Sequence, residues 1–411
     1  METTILNTDD LAQVLGNMGL PVAFSGVDIA PSTVFYHFDL KNPLDLKKVK
    51  NVVSCLAAYI HKEIRVEKSE SASFCLSIPR DQREFPNFTA YHNALKDKQP
   101  GEILFGIGEN GQPITRNITQ TKSMLVGGSS GGGKSVCLNE MLCSLICYTK
   151  PEHLGLVLID LKRCEFELFK NSNHLALPVQ FDYEGAFQSL RTVQKEIERR
   201  YKEMQAQGIR KATVDKYPLL VVFIDEYAEL ASHSNKNELD NIVSRIASTG
   251  RACNVFIVVA TQHAISTIIS NTIKSNLQSR IGLRTSNVAQ STCIIGTRDC
   301  VDLLGYGDSF ISFDGVAGLQ RVQVCNIDET VINKILEKQN NDAISKQTSN
   351  KLIKEKKQTK WQRFCQRVNN WFEKVGIKSK PRHHKHGLDV CISQSVNDLN
   401  YYDCVIDDDN E

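Results

Sequence analysis

Apolar and polar residues alternate through the first part of the chain. Pro21 to Leu40 (PVAFSGVDIAPSTVFYHFDL) alternates on both sides of a Pro-Ser turn and predicts two strands. Lys47 to His61 carries apolar residues at helical intervals, and Glu63 to Ile78 predicts two more short strands. Strands, a helix and further strands make a small α+β module, given the limits 1–120. It holds no catalytic cluster, so an accessory role is expected.

From residue 121 the pattern changes to unbroken apolar runs separated by helical stretches. Leu154 to Ile159 (LGLVLI), Leu219 to Ile224 (LLVVFI) and Val255 to Ala260 (VFIVVA) have no polar face, as strands buried on both sides require. Phe187 to Met204 between them is a charged amphipathic helix. Strand and helix in alternation predict an α/β domain over 121–328, built on a mostly parallel central sheet covered on both faces. The remainder, 329–411, reads as a charged, partly flexible tail. Lys346 to His386 has 13 Lys or Arg against 2 Glu, and the chain ends in the acidic DCVIDDDNE. Within it Trp361, Phe364, Val368, Trp371, Phe372 and Val375 recur at helical spacing among Lys360, Arg363, Arg367 and Lys374. Three readings of this basic amphipathic helix stay open: peripheral membrane contact through 351–380, DNA phosphate contact, and docking on its own protein.

Composition narrows the setting. At 411 residues two or three domains are expected, and a net charge of +2 means that any basic surface arises from local segregation. Thirteen cysteines without a C-x-x-C pair suit buried thiols in a reducing compartment. No run of about 18 apolar residues occurs, and the polar, acidic start METTILNTDDLAQ is no signal peptide. The expectation is a cytoplasmic protein without a transmembrane segment, with attachment at the inner face of the membrane left open by the tail helix. His383, His384 and His386 lack an accompanying carboxylate or thiol set and read as a solvated cluster, not a zinc site.

The chemistry concentrates in Ser123 to Leu145. Gly128, Gly133, Lys134 and Ser135 fit G-x-x-x-x-G-K-[ST], the phosphate-binding loop, between an apolar run and a helical segment. The expected phosphate cradle is Gly128, Ser129, Ser130, Gly131, Gly132, Gly133, Lys134, Ser135 and Val136. Glycines let successive N–H groups turn inward, and the following helix adds its positive end. Lys134 would meet the β and γ phosphates of ATP, and the Ser135 hydroxyl would ligate Mg2+. The run LLVVFI delivers Asp225 and Glu226 to a strand's C-terminal end, where ligands bind in open parallel sheets. Asp225 is the expected Mg2+ holder and Glu226 the group that orients and deprotonates the attacking water. Thr261 and Gln262 end the next buried strand, which should neighbour the acid-bearing one, and the Gln262 amide is the expected γ-phosphate or water sensor. Arg251 is the expected arginine finger reaching a neighbouring subunit's nucleotide, with Arg280 and Arg284 as alternatives.

These residues resemble, in order, the motor of the FtsK/SpoIIIE family within the FtsK and HerA group of ring ATPases. The resemblance runs from about Pro21 to Asp328. It is carried by GGSSGGGKSVCLNEML, LIDLKRCEF, VVFIDEYAEL, GRACNVFIVVATQ, IKSNLQSRIGLR and LLGYGDSFISF. It implies a RecA-like P-loop fold, a homo-hexameric ring, ATP with Mg2+ at subunit boundaries, and sequence-independent movement along double-stranded DNA in plasmid, conjugative or phage transfer. A coupling or export ATPase of a secretion system is the alternative. Where the family has Thr-Gln-Arg-Pro this chain has Thr261, Gln262, His263 and Ala264, and Asp-Pro-Lys becomes Asp160, Leu161 and Lys162. The family's membrane-spanning N-terminus and its C-terminal winged helix are not recognisable here.

Overall fold

The computed structural model describes residues 8–350, except 69–72, 97 and 234. Four strands, β1 (Val22–Ile29), β2 (Thr33–Leu40), β3 (Arg65–Lys68) and β4 (Ser73–Pro79), form an antiparallel sheet in the order β1-β2-β4-β3. Alternation decides its faces. Val34, Tyr36, Phe38 and Leu40 of β2 point to one side with Phe74, Leu76 and Ile78 of β4. The helices Thr8–Asn17 and Val49–Ile60 cover that side, the second through Val49, Val53 and Leu56 at one-turn intervals. Phe35 turns the opposite way and packs with Ala30 and Cys75.

A second sheet carries nine strands: β5 (Glu102–Gly108), β6 (Pro113–Asn117), β7 (Met124–Gly127), β8 (Leu154–Ile159), β9 (Leu219–Ile224), β10 (Val255–Thr261), β11 (Ser279–Leu283), β12 (Asp308–Ser312) and β13 (Gln320–Gln323). Their order is β6-β5-β13-β12-β11-β7-β10-β9-β8. The expected parallel block is the run β11-β7-β10-β9-β8. Beyond β11 the sheet continues antiparallel through β12, β13, β5 and β6.

Two boundaries expected from sequence fall elsewhere. Strands β5 and β6 precede residue 120 yet belong to the large sheet, because Ile107 and Gly108 pair with Gln323 and Val322. The accessory sheet itself ends at Pro79. At the other end, residue 329 opens a helix, Glu329–Asn350, whose Ile332 and Leu336 enter the large core beside the helix Lys134–Tyr148. The amphipathic helix expected around 361–375 and the histidines His383, His384 and His386 lie outside the described residues.

The acid-bearing β9 lies one strand in from the edge. Edge strand β8 remains buried because residues 174–180 run alongside it: Ala176 N donates to Leu156 O at 2.8 Å, Gln180 N to Leu158 O at 2.9 Å and Asp160 N to Gln180 O at 2.9 Å. The ten cysteines among the described residues all stand as free thiols. Among the described residues no helix is long and apolar enough to cross a membrane.

Candidate active site

Strand β7 ends at Gly127, and close packing dictates the glycines that follow. A Cβ on Gly128 would lie 2.6 Å from Leu283 Cβ, and one on Gly133 only 2.5 Å from Gly307 N. Gly131 (φ 76°) and Gly133 (φ 102°) also occupy the left-handed region that glycine enters freely. The outside of the loop is braced by two other segments. Ser129 N donates to Arg284 O at 2.8 Å, Tyr306 N to Gly131 O at 3.1 Å and Gly307 N to Gly132 O at 2.8 Å. The helix Lys134–Tyr148 starts directly from Gly133, so its positive end lies at the loop's mouth.

Lys134 and Asp225 meet although 91 positions separate them. The buried ammonium forms an ion pair with the Asp225 carboxylate and donates to the Asp225 carbonyl oxygen at 2.9 Å. Burial pushes the Asp225 carboxyl above its ordinary range; Lys134 pulls it back, while Glu165 and Asp160 add repulsion. The Ser135 hydroxyl donates to Glu165.

Glu226 is tied to the adjacent strand. Its Oε1 accepts from the Thr261 hydroxyl at 2.6 Å, and its two oxygens accept from Gln262 N at 3.2 and 3.0 Å. Lys162 Nζ stands 3.5 Å from Oε2. Glu226 also precedes the short helix Tyr227–Ser232 and accepts from Ala228 N at 3.4 Å, so a cap and a buried carboxylate at the sheet edge are the same residue.

The fold therefore gathers Lys134, Ser135, Asp225, Glu226 and Gln262 at the C-terminal edge of the parallel strands. Arg251 is not gathered there. It is exposed in the turn before Val255, at the other end of the seven-residue β10, about 20 Å away along the strand. As a group acting on this chain's own site it is excluded by that distance. Arg280 is engaged structurally, donating to Lys274 O at 2.9 Å and Ile294 O at 3.2 Å.

Asp160, Glu165, Lys162 and Thr261 were not singled out as site residues. A signal for Asp160 was present: LGLVLI and LLVVFI are each followed directly by aspartate, and pairing of Ile159 with Ile224 sets Asp160 level with Asp225. Asp160 Oδ2 accepts from Glu165 N at 2.8 Å and Phe166 N at 2.9 Å, which turns the chain so that Glu165 reaches Ser135.

The donor set suits Mg2+ with phosphate. Mg2+ is usually held by one or two protein oxygens plus phosphate and water, not by an all-protein cage. Ser135 and Asp225 supply such oxygens, and the fully buried Asp160 has an Oδ1 without a hydrogen-bond partner. No cage of three or more His, Cys, Asp or Glu occurs among the described residues.

Comparison with known proteins agrees with this geometry. Residues 89–217 match the FtsK/SpoIIIE family. The DNA translocase FtsK of Staphylococcus epidermidis is 30% identical over 356 residues, covering 80% of this chain and 44% of the relative. That of Helicobacter pylori is 34% identical over 254 residues, covering 59% and 30%. The chain thus spans less than half the length of these relatives. Among solved structures, the monomer form of the pCW3 conjugation coupling protein TcpA with ATPgS aligns at TM-score 0.57 and 18% identity, over 80% of this chain and 98% of that one. The cytoplasmic domain of the type VII secretion ATPase EccC of Thermomonospora curvata aligns at 0.55 and 20%, over 62% and 34%. Both likenesses concern the fold, which is the RecA-like P-loop architecture.

Proposed function

Starting from membership of the FtsK/SpoIIIE family, we propose that this chain is an ATP-driven motor that moves double-stranded DNA. The observation that supports it most is the meeting of Lys134, Ser135, Asp225 and Glu226 at one sheet edge, beside a glycine loop braced on its outer side. When bound, Mg2+ would neutralise phosphate charge, held through Ser135 and Asp225. Lys134 then exchanges the Asp225 carboxylate for the β and γ phosphate oxygens, a trade of one anionic partner for another within a buried site. Ser135 likewise leaves Glu165. Glu226 orients and deprotonates the attacking water, and its tether to Thr261 and Gln262 N sets where the carboxylate stands.

The same tether supplies a route from chemistry to movement. Residues 262–270 leave the end of β10 directly, and Ile265, Ser266 and Thr267 are exposed. A shift of Glu226 on phosphate release would pull on this segment, the proposed contact to the DNA backbone. Such contact is sequence-independent and falls steeply with salt. Assembly as a homo-hexamer and a finger arginine acting between subunits, with Arg251 as candidate, belong to the same proposal.

The test is steady-state ATPase activity with linear duplex, single-stranded DNA and no DNA, together with displacement of a triplex strand from the duplex. Several-fold stimulation by duplex at low salt, with triplex displacement, is expected. Turnover indifferent to DNA but raised by a peptide substrate would instead assign the chain to the coupling or export ATPases.

A further inference from the structure

We propose that Tyr306, backed by Phe85, is the platform on which the base of the bound nucleotide stacks. This deepens the phosphate-loop reading and rests on it. Tyr306 is 70% exposed, the most exposed of the Phe and Tyr side chains among the described residues, and Phe85 is 49% exposed. Their ring centroids lie 6.3 Å apart with planes at 70°. Two paired rings exposed beside the phosphate loop present a flat apolar face on which a further ring can pack.

The backbone adds an independent argument. Tyr306 has φ 53°, between Gly305 at 75° and Gly307 at 89°. Left-handed backbone costs a residue with a Cβ about 1–2 kcal/mol, and such strain concentrates where a side chain is needed in one place. The segment is held there from both sides. Tyr306 N donates to Gly131 O of the phosphate loop at 3.1 Å, and Gln323 Nε2 donates to Tyr306 O at 2.8 Å. Arg83 donates to Leu304 O at 3.2 Å and Gly305 O at 2.9 Å, while its guanidinium lies 5.1 Å from the Phe85 ring centroid. Both rings therefore belong to one braced unit next to the loop.

Topology sets the direction. Strand β7, which feeds the phosphate loop, lies between β10 and β11. The carboxylates Asp225 and Glu226 stand on the β10 side. Tyr306 comes from the segment between β11 and β12, on the opposite side. A nucleotide whose terminal phosphate faces the acids extends its base away from them, toward Tyr306. Stacking tolerates any base, since each has a π face, so the contact contributes affinity for a nucleoside triphosphate over bare phosphate.

The experiment uses the full chain with two probes, the slowly hydrolysed analogue ATPγS and inorganic tripolyphosphate, each with Mg2+, in titration calorimetry. Tyr306→Ala is expected to weaken ATPγS about tenfold and to leave tripolyphosphate unchanged, while Tyr306→Phe keeps both. Tyr306→Asn relieves the backbone, so thermal stability holds or rises while ATPγS affinity still drops. With Tyr306→Trp, indole emission is quenched by ATPγS and not by tripolyphosphate. Unchanged ATPγS affinity in Tyr306→Ala overturns the platform. Equal loss for both probes overturns it in favour of a bracing role for the phosphate loop. Parent protein that binds neither probe overturns the phosphate-loop reading and the platform together.

Discussion

Replacing Lys134 by methionine in the nucleotide-free protein tests whether the lysine neutralises a buried carboxylate. Both partners are almost inaccessible, with 4% of each side chain exposed. Burial already pushes the Asp225 carboxyl upward, Glu165 and Asp160 repel it further, and Lys134 opposes them through its charge and its hydrogen bond. Breaking such a pair from one side costs about 3–5 kcal/mol if the charge stays. Asp225 has an escape, because it can take up a proton. Its folded pKa then lies further above the unfolded value than in the parent, so the folded state binds the proton over a wider pH interval. Stability of the variant therefore falls as pH rises through that interval, by up to about 1.4 kcal/mol per unit. Thermal unfolding at about pH 5.5 and about pH 8 reads this directly, since 1 kcal/mol moves the midpoint of a domain of this size by about 2–4 °C. A drop on the order of 10 °C is expected at the higher pH, clearly smaller at the lower. Adding Asp225→Asn to Lys134→Met removes the buried charge and should recover most of the loss. A loss equal at both pH values, or no recovery in the double variant, would refute the reasoning.

Other consequences follow from the same buried charges and close-packed glycines. Glu226→Gln should keep ATP binding and lose turnover by about 10²–10⁴-fold, checked by calorimetry beside a phosphate-release assay. Glu140 is fully buried on the phosphate-loop helix, with Oε2 unpartnered and Oε1 accepting from Cys325 N at 3.2 Å; burial pushes its carboxyl well above the ordinary range. Its proton is held in the folded chain and released on unfolding once pH passes the ordinary carboxylate range, so stability falls with rising pH. Glu140→Gln should remove that component and raise the thermal midpoint more at about pH 8 than at about pH 5. Gly133→Ala combines φ 102° with a contact 2.5 Å from Gly307 N, whereas Gly131→Ala at φ 76° meets nothing within 4 Å. The first should lose ATP binding and stability together, and the second only the roughly 1–2 kcal/mol of backbone strain, measured by denaturant midpoints.

The parallel half of the large sheet was legible because each of its strands is a local signal. LGLVLI, LLVVFI and VFIVVA are apolar on both faces, and each ends where the chain must carry polar residues out of the sheet. The antiparallel half was not. Strand β13 is only four residues long and finds β5 more than 200 positions away, a pairing no window of sequence contains. Strand β5 is also interrupted by a bulge at Gly106, where φ is 112° and a Cβ would lie 2.3 Å from Gln323 O. That glycine reads as a breaker in sequence and acts as a contact point in the fold.

The candidate site divides along the same line. Gly-Lys-Ser and Asp-Glu are short motifs whose spacing along the chain predicts chemistry, and the sheet brings them together. The residues that adjust them arrive from elsewhere. Glu165 reaches Ser135 because Asp160 turns the chain, and Thr261 holds Glu226 because β10 lies beside β9. Each link joins a motif residue to the chain at or just beyond the C-terminal end of another strand, so a displacement of either strand end would move a charged group at the proposed nucleotide site. Glu226 is tied this way at both carboxylate oxygens, by the hydroxyl of Thr261, the last residue of β10, and the backbone N–H of Gln262, the next residue. The proposed motor would need its hydrolytic group connected mechanically to a surface element, and the connection to Glu226 is two residues long: Thr261 and Gln262 hold the carboxylate, and the exposed residues begin at His263.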